Sequence, residues 1–219
     1  MKKIVPLSLI VFLFFISQAT GQQNIKLPEI KAKAGMDVIQ AMETRSATRE
    51  FNKKDVPLEV ISTILWAGNG IILEKGSKTI HGYDAVTSAT NLNRYTTPWG
   101  WEEPYLKLYL ILKNGVYEYS PLEHELKFLK DNSSSDDEDN TAMIVIAADF
   151  NNIHSANKEI RNVAFVSAGS AAQNMYVAGA VYNIQMFTKV FISEKWLTKS
   201  LNLPNKVEPL ITLAFGYTK

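Results

Sequence analysis

The stretch LKLYLILKNGVYEYS, residues 106–120, contains two alternating apolar runs with an Asn-Gly dipeptide between them. Leucine occupies every second position before Asn114-Gly115, and tyrosine recurs at every second position after it. A repeat of two residues is typical of a β-strand that buries one face, and Asn-Gly is favoured in tight hairpin turns. The stretch therefore predicts an antiparallel β-hairpin that turns at Asn114-Gly115.

Apolar periodicity on either side of the hairpin predicts the rest of the fold. Residues 160–182 are the longest helix candidate and are almost entirely apolar or small from Phe165 onward, which predicts burial on nearly every side. Residues 141–148 form a continuous apolar run, as expected of a strand in the middle of a sheet. The other predicted elements are an extended arm at 22–35, a helix at 36–44, a helix opened by Pro57 and closed by Gly68-Asn69-Gly70, a long loop region at 74–104, a helix at 193–201 and a strand at 209–217. Together they indicate an α+β fold, with a central, mostly antiparallel sheet flanked by helices and a long buried central helix.

Composition indicates one globular domain and excludes several classes of function. The chain has 219 residues, of which 46% are hydrophobic and 21% are charged, and its net charge is +1. This balance offers no basic field for a nucleic-acid partner. The absence of cysteine excludes disulfides and thiolate chemistry. His81, His124 and His154 lack the spacing of metal ligands, so we expect surface or loop histidines and no metal site.

The first 21 residues resemble a secretory signal peptide. Lys2 and Lys3 precede an apolar run at 4–16, which is too short to span a membrane, and Ala19-Thr20-Gly21 has the small residues of a cleavage site. We therefore expect residues 1–21 to be removed and residues 22–219 to form the exported domain, periplasmic or secreted. With no cysteine for lipidation, that domain should have no membrane attachment.

Residues 44–51, TRSATREF, place two arginines four residues apart among hydroxyl side chains. On a helix, Arg45 and Arg49 would share one face. Two guanidinium groups and nearby hydroxyls suit a doubly charged phosphate monoester. The alternative is a solvated turn whose arginines form surface salt bridges.

With its elements in this order, the chain resembles the nitroreductase superfamily of FMN enzymes, in particular the branch of SagB/ThcOx-type dehydrogenases. The similar stretches are the arginine motif at 45–51, the helix at 56–71, Thr-Ser-Ala-Thr-Asn at 87–91, Gly-Val-Tyr-Glu-Tyr-Ser-Pro at 115–121, the helix at 167–178 and Phe-Gly-Tyr-Thr-Lys at 215–219.

The resemblance implies an exported FMN oxidoreductase that transfers hydride through flavin N5. Its substrate would be a small molecule that is aromatic, quinone-like or peptide-derived, and no protein acid or base is required in the first instance. The residues at the positions of the family's FMN contacts are Arg45, Ser46 and Arg49 at the phosphate, Ser88 and Asn91 at the flavin ring, and Lys219 at the phosphate or the ring edge. Ser46 stands where the family has a second arginine.

Several departures from the family pattern keep alternatives open, among them Ser46 in place of an arginine and Thr87 in place of a proline. Ala47 replaces the serine of the phosphate site, and Val-Tyr-Asn-Ile at 181–184 replaces a glycine-rich stretch. An insertion after Asn91 makes Pro-Trp-Gly-Trp-Glu at 98–102 a competing flavin loop, although only 87–91 keeps both the serine and the asparagine. The second functional hypothesis is therefore a non-catalytic relative that binds a ligand or partner.

The apolar helix at 160–182 also predicts a homodimer, because one modest sheet would not cover its whole circumference. The resemblance implies the same, since the superfamily forms intertwined dimers whose flavin contacts come from both chains. The alternative is a monomer in which the loop region and the N-terminal arm cover the helix.

The cleavage pattern leads to the first testable prediction. We expect the mature chain to begin at Gln22, because the signal peptidase cuts after the small-residue site. N-terminal sequencing of protein recovered from the periplasm or the medium measures this directly. Exported protein that retains Met1 would contradict it.

Overall fold

The computed structural model describes residues 23–30, 36–73, 79–80, 83–84, 94–98, 105–132, 142–153, 156–189 and 194–219. The predicted signal peptide lies outside these ranges. Within them no helix combines the length and the apolar character that a membrane span requires.

The described chain contains four helices and eleven strands. The helices are α1 (Val38–Thr44), α2 (Leu58–Asn69), α3 (Lys158–Ala180) and α4 (Glu194–Leu201). The strands are β1 (Ile25–Lys26), β2 (Ile71–Leu73), β3 (Thr79–Ile80), β4 (Tyr83–Asp84), β5 (Arg94–Tyr95), β6 (Leu106–Leu112), β7 (Gly115–Ser120), β8 (Glu125–Lys130), β9 (Ala142–Asp149), β10 (Gln185–Lys189) and β11 (Val207–Gly216).

One seven-stranded sheet, in the order β1-β8-β7-β6-β9-β11-β10, forms the centre of the molecule. Every pair of neighbouring strands in it is antiparallel. Strand β9 lies between β6 and β11, and its residues 143–148 are all buried, as its continuous apolar sequence predicted. The α+β prediction is confirmed.

Helices cover both faces of this sheet. On one face, Leu108 and Ile146 of the sheet belong to the same core cluster as Ile64 of α2 and Ala168 of α3. On the other face, a second cluster joins strand residues such as Val145 to Leu197 and Leu201 of α4. The pleat of each strand sends alternate side chains to opposite faces, so neighbouring residues of β9 enter different clusters.

The predicted hairpin forms from β6 and β7, but its turn is one residue earlier than predicted. Leu112 pairs with Gly115, so Lys113 and Asn114 are the turn residues and Gly115 begins the second strand. In this register Val116 pairs with Ile111, and both are buried. A turn at Asn114-Gly115 would pair Val116 with the exposed Lys113 instead. Burial of an apolar pair therefore decides the register.

Helix α3 matches the long predicted helix in position but not in its degree of burial. It packs closely against α2. A Cβ added to Gly68 of α2 would lie only 1.9 Å from Met175 Cε of α3, so a side chain at this position would displace Met175. However, Phe165 is 51% exposed and Val166 is 71% exposed. Burial on nearly every side is therefore wrong for the chain alone, because among the described residues the sheet, α1 and α2 leave Phe165 and Val166 uncovered.

His124 connects the N-terminal segment to the rest of the fold. Its Nε2 lies 2.9 Å from the Pro28 carbonyl oxygen, and its Nδ1 lies 3.0 Å from the Tyr119 hydroxyl. Ser62 Oγ, on α2, donates to the same Pro28 oxygen and lies 2.8 Å from Nε2. The His124 carbonyl also accepts the Leu27 amide. His124 lies in a turn, as expected, but it is a half-buried junction and not a free surface side chain.

The neutral imidazole satisfies these bonds completely. Tyr119 donates to Nδ1 while Nε2–H donates to the Pro28 oxygen, and burial raises the pKa of Tyr119, which keeps its hydroxyl protonated. Burial lowers the pKa of His124 below 6.5, and Lys26 lowers it further, against the opposing hydrogen bond to Pro28. A charged ring would require Tyr119 to give up its donor role.

This junction leads to the second prediction. Because the folded-state pKa of His124 lies below its unfolded value of 6.5, its stabilising contribution is present above pH 6.5 and is lost as the pH falls through the lower folded pKa. His124→Asn, which tolerates the positive φ of 47°, should lower the free energy of unfolding at pH 7.5 by about 1–3 kcal/mol.

Urea denaturation of both proteins at pH 7.5 and pH 5 provides the measurement. The difference in stability between wild type and His124→Asn should shrink at the lower pH. A difference that stays the same at both pH values would show that the ionisation of His124 is not linked to folding.

Candidate functional site

Residues 45–49, here called the arginine segment, follow α1 directly. A capping box starts the helix, in which the Asp37 carboxylate accepts the Gln40 amide at 2.9 Å. The helix ends at Thr44, whose hydroxyl donates back to the Gln40 carbonyl at 2.8 Å, and Arg45 has extended backbone with ψ 133°. The expectation that Arg45 and Arg49 share a helical face is therefore wrong.

The backbone of the arginine segment instead runs beside strand β10. Ala47 forms a parallel bridge with Met186, and the Thr48 amide donates to the Met186 carbonyl at 3.2 Å. These pairings use backbone groups that a longer helix would need. The tertiary pairing thus determines the extended conformation, and local sequence spacing does not.

Both guanidinium groups lie over aromatic rings. Arg45 Cζ is 5.8 Å from the centre of the Tyr176 ring, and Arg49 Cζ is 4.6 Å from the centre of the Phe187 ring. Within the described part of the chain, neither arginine forms an ion pair with a carboxylate. Ring faces attract a guanidinium without neutralising its charge or occupying its in-plane N–H donors. The two cations therefore remain available to an anionic ligand, and the alternative of a salt-bridged turn finds no partner among these residues.

The ring beneath Arg45 is itself held in place. The Tyr176 hydroxyl accepts the Thr188 amide at 3.0 Å and lies 3.2 Å from the Thr188 hydroxyl. These bonds tie α3 to β10 at the position where Arg45 rests. The orientation of the Arg45 side chain thus depends on helix α3 as well as on the sheet.

Ser46 is bound by Gln185, which lies 139 residues away in sequence. Gln185 Oε1 accepts the Ser46 amide at 2.7 Å and the Ser46 hydroxyl at 3.1 Å. Gln185 Nε2 reaches the Thr44 carbonyl at 3.5 Å. Both donors of Ser46 are therefore engaged within the chain. Ser46 anchors the segment, and its role at a phosphate stays a prediction that requires Gln185 to move.

The C-terminal tail lies beside the residues that follow Arg49. Phe51 forms an antiparallel bridge with Thr218, and Asn52 donates to the carbonyls of Tyr217 and Thr218 at 2.8 and 2.7 Å. These bonds bring the exposed Lys219 next to the arginine segment. Of the six residues predicted to contact FMN, the structure thus brings four to one region: Arg45, Ser46, Arg49 and Lys219.

The other two predicted residues, Ser88 and Asn91, lie outside the described ranges, as does most of the competing stretch at 98–102. The residues before that stretch are firmly attached. Thr96 and Thr97 donate through their hydroxyls to the carbonyls of Trp66 and Gly68 at the end of α2. The Asn174 side chain of α3 donates to the Thr96 carbonyl at 3.2 Å. Which stretch is the flavin loop stays a prediction.

The turn at 181–184 contains no glycine, yet one of its residues adopts the positive φ that glycine usually adopts. Asn183 has a φ of 58°, a conformation that asparagine tolerates better than most residues. Just before the turn, a Cβ on Gly179 would lie 2.8 Å from Met186 Cε, so the helix end packs tightly on β10. The departure at 181–184 therefore leaves the approach of α3 to β10 intact.

Sequence reasoning missed three residues that shape this region: Tyr176, Gln185 and Phe187. The only available signal was that Tyr176 belongs to the helix motif at 167–178. All three reach the arginine segment through tertiary packing, so local spacing could not identify them.

Comparison with known proteins agrees with the geometry. The profile described as the nitroreductase family matches residues 42–217. A search of the curated proteins gives no significant match.

Several solved structures are similar in fold. A candidate nitroreductase from Ralstonia eutropha JMP134 superposes with a TM-score of 0.74 at 22% identity, over 91% of each chain. The microcin synthetase McbBCD complex of E. coli, with truncated pro-MccB17 bound, has a TM-score of 0.59 at 17% identity, over 98% of this chain and 85% of that one. An NADH dehydrogenase/NAD(P)H nitroreductase candidate from Parabacteroides distasonis ATCC 8503 has a TM-score of 0.51 at 14% identity, over 83% and 86%.

A family profile that spans most of the chain, together with solved structures of similar fold, leads to one conclusion: the protein belongs to the nitroreductase family, whose members generally bind flavin and act as oxidoreductases.

Proposed function

We propose that this protein is an FMN-dependent oxidoreductase that transfers hydride to or from a small aromatic, quinone-like or peptide-derived substrate. The observation that carries the proposal is the pair of guanidinium groups at Arg45 and Arg49, held over aromatic rings with no carboxylate partner among the described residues. Such a pair suits the bidentate recognition of a phosphate monoester.

The donors of the arginine segment fit the phosphate end of FMN. Arg45 and Arg49 would hold the phosphate, and Lys219 would add a third positive charge from the tail. Ser88 and Asn91, by their match to the family motif, would contact the ring. When bound, FMN supplies the hydride-accepting and hydride-donating chemistry at its N5 atom.

The protein's own residues bind and orient in this scheme. Tyr176 and Phe187 orient the two guanidinium groups, and Gln185 holds the extended backbone at Ser46. No side chain is proposed as a catalytic acid or base, because the described residues near the segment offer no acid/base pair. We also propose that the mature domain, residues 22–219, is exported and has no membrane attachment.

A non-catalytic relative is the second candidate. It is favoured by Ser46, whose donors are both engaged by Gln185, and by Ala47, which stands where the family has serine. Purified protein incubated with FMN and then desalted distinguishes the two candidates. Retained yellow flavin absorbance supports the oxidoreductase, and colourless protein supports the non-catalytic relative.

The third prediction concerns the two arginines. Arg45→Ala and Arg49→Ala should each weaken FMN binding by about 1.5–3 kcal/mol, roughly tenfold to a hundredfold in Kd, because each removes charge-assisted hydrogen bonds. Titration of FMN fluorescence gives the affinity. Arg161→Ala is the matched control, since Arg161 also lies over a ring, that of Phe150, but is paired with Glu208. Unchanged affinity in both segment variants would remove the arginines from the site.

We further propose a homodimer whose flavin sites lie at the subunit boundary. Helices α1 and α3 pack against each other and expose apolar side chains: Val38 at 57%, Ile39 at 59%, Met42 at 49%, Phe165 at 51% and Val166 at 71%. Exposed apolar side chains on two adjacent helices favour association with a second copy. An obligate interface of this kind should bury more than about 2,000 Å².

The fourth prediction follows from this surface. Light scattering of the wild-type protein at low micromolar concentration should give twice the mass of one chain. Ile39→Glu combined with Val166→Glu should produce monomers, because two carboxylates would be buried without partners. Leu122→Glu, at a 63% exposed leucine outside α1 and α3, should leave the dimer intact. A monomeric wild-type protein would contradict the proposal.

A further inference from the structure

A cavity lies near the residues that follow the arginine segment. It has a volume of about 360 Å³ and opens between residues 51–56, the start of α2 and the ends of β6, β9 and β11. We call it the basic cavity. Its lining includes Phe51, Lys53, Lys54, Val56, Leu112 and Phe215. Among the described residues, none of the predicted FMN contacts (Arg45, Ser46, Arg49 and Lys219) belongs to this lining.

The floor of the basic cavity is apolar. Ile61 is 3% exposed and Phe215 is 1% exposed, so both side chains are fixed in the core. Val56 and Leu112 are partly buried against the same core. Gly216 allows the Phe51 ring to approach the strand, because a Cβ there would lie 3.3 Å from Phe51 Cδ1. The floor is therefore a preformed apolar surface of the kind that receives the body of a small ligand.

The rim of the basic cavity carries more positive than negative charge. Three lysines, Lys53, Lys54 and Lys113, face one carboxylate, that of Asp55. Asp55 is 3.5 Å from Lys113, but its side chain is 87% exposed, so this ion pair is weak. Within the described residues, Lys53 and Lys54 have no carboxylate partner.

Lys54 is held in position at this rim. Its ammonium lies 4.4 Å from the centre of the Tyr217 ring, and its amide donates to Asn52 Oδ1 at 2.9 Å. Asn52 is in turn bonded to the Thr218 carbonyl. An ammonium over a ring keeps its charge and its outward N–H donors. The cavity thus combines a rigid apolar floor with a preorganised cation at its edge.

From this combination we infer that the basic cavity binds a small organic anion with an apolar body, of the arylalkanoate class. The aryl group packs against Phe51, Val56 and Leu112, which are partly exposed above the buried Ile61 and Phe215, and the carboxylate faces Lys53 and Lys54. A cavity of about 360 Å³ has room for one such molecule. This inference does not depend on the proposed flavin chemistry, since Arg45, Ser46, Arg49 and Lys219, the predicted FMN contacts among the described residues, lie outside the lining.

The test compares 4-phenylbutyrate with its neutral amide, 4-phenylbutanamide. Mature protein is titrated with each by two-dimensional amide NMR, in the presence and absence of saturating FMN. The carboxylate should bind with a Kd on the order of 1 mM, and the amide should bind roughly fivefold more weakly, because it lacks the attraction to the lysines. Shifts should centre on residues 51–56 and Leu112.

Two variants test the two parts of the cavity. Lys53→Gln with Lys54→Gln should weaken binding of the carboxylate about fivefold and leave the amide unchanged. Lys158→Gln with Lys199→Gln, which removes the same charge elsewhere, should have no effect. Ala142→Leu should abolish binding of both compounds by filling the floor, and its amide spectrum reports whether it is folded.

Several results would overturn the inference. Equal affinity for carboxylate and amide would show that the lysines do not select charge. If FMN displaced 4-phenylbutyrate, the binding site of the compound would have to be reassigned to the arginine segment. If Lys158→Gln with Lys199→Gln lost as much affinity, the effect of Lys53 and Lys54 would be explained by the net charge of the protein alone. The absence of saturable binding at 10 mM, about tenfold above the expected Kd, would exclude the site.

Discussion

Strand β9 is hydrogen-bonded along both edges, to β6 and to β11, and its residues 143–148 are buried on both faces of the sheet. A strand of this kind is stable only where apolar side chains cover it from both sides. Helices α2 and α3 provide one cover and α4 the other. Strand β10 follows β11 at the edge of this arrangement, and the candidate site is built on β10, the C-terminal tail and helix α3.

The arginine segment depends on the far edge of the same sheet. Its backbone pairs with β10 at Met186, and the residues that follow pair with the tail at Tyr217 and Thr218. Because the backbone is anchored at both ends, Arg45 and Arg49 reach two rings that belong to α3 and β10. The two guanidinium groups thus rest on aromatic rings, which do not neutralise their positive charge. A salt-bridged segment would have had its charge neutralised within the protein.

Residues 45–54 concentrate positive charge in a chain that is otherwise nearly neutral. They carry four cationic side chains and one carboxylate, while the whole protein has a net charge of +1. The bridge between Phe51 and Thr218 divides this run into the arginine segment and the lysines of the basic cavity. One extended stretch therefore serves two surfaces of different character. We propose a phosphate as the ligand of the first surface and an anion with an apolar body as the ligand of the second.

The sequence by itself determined the elements, because apolar periodicity reports which residues a helix or a strand can bury. Periodicity predicted the hairpin at 106–120, the strand at 141–148 and the long helix. The order of the family motifs along the chain indicated the nitroreductase-like fold. Tertiary structure alone decided three features. Pairing of Val116 with Ile111 moved the hairpin turn by one residue, and pairing with β10 kept Arg45 and Arg49 out of a helix. Gln185, Tyr176 and Phe187 entered the site from more than a hundred residues away. Periodicity describes which face of an element is buried, but it contains no information about which distant backbone or ring will lie against that face, because that choice is made by the packing of the whole sheet.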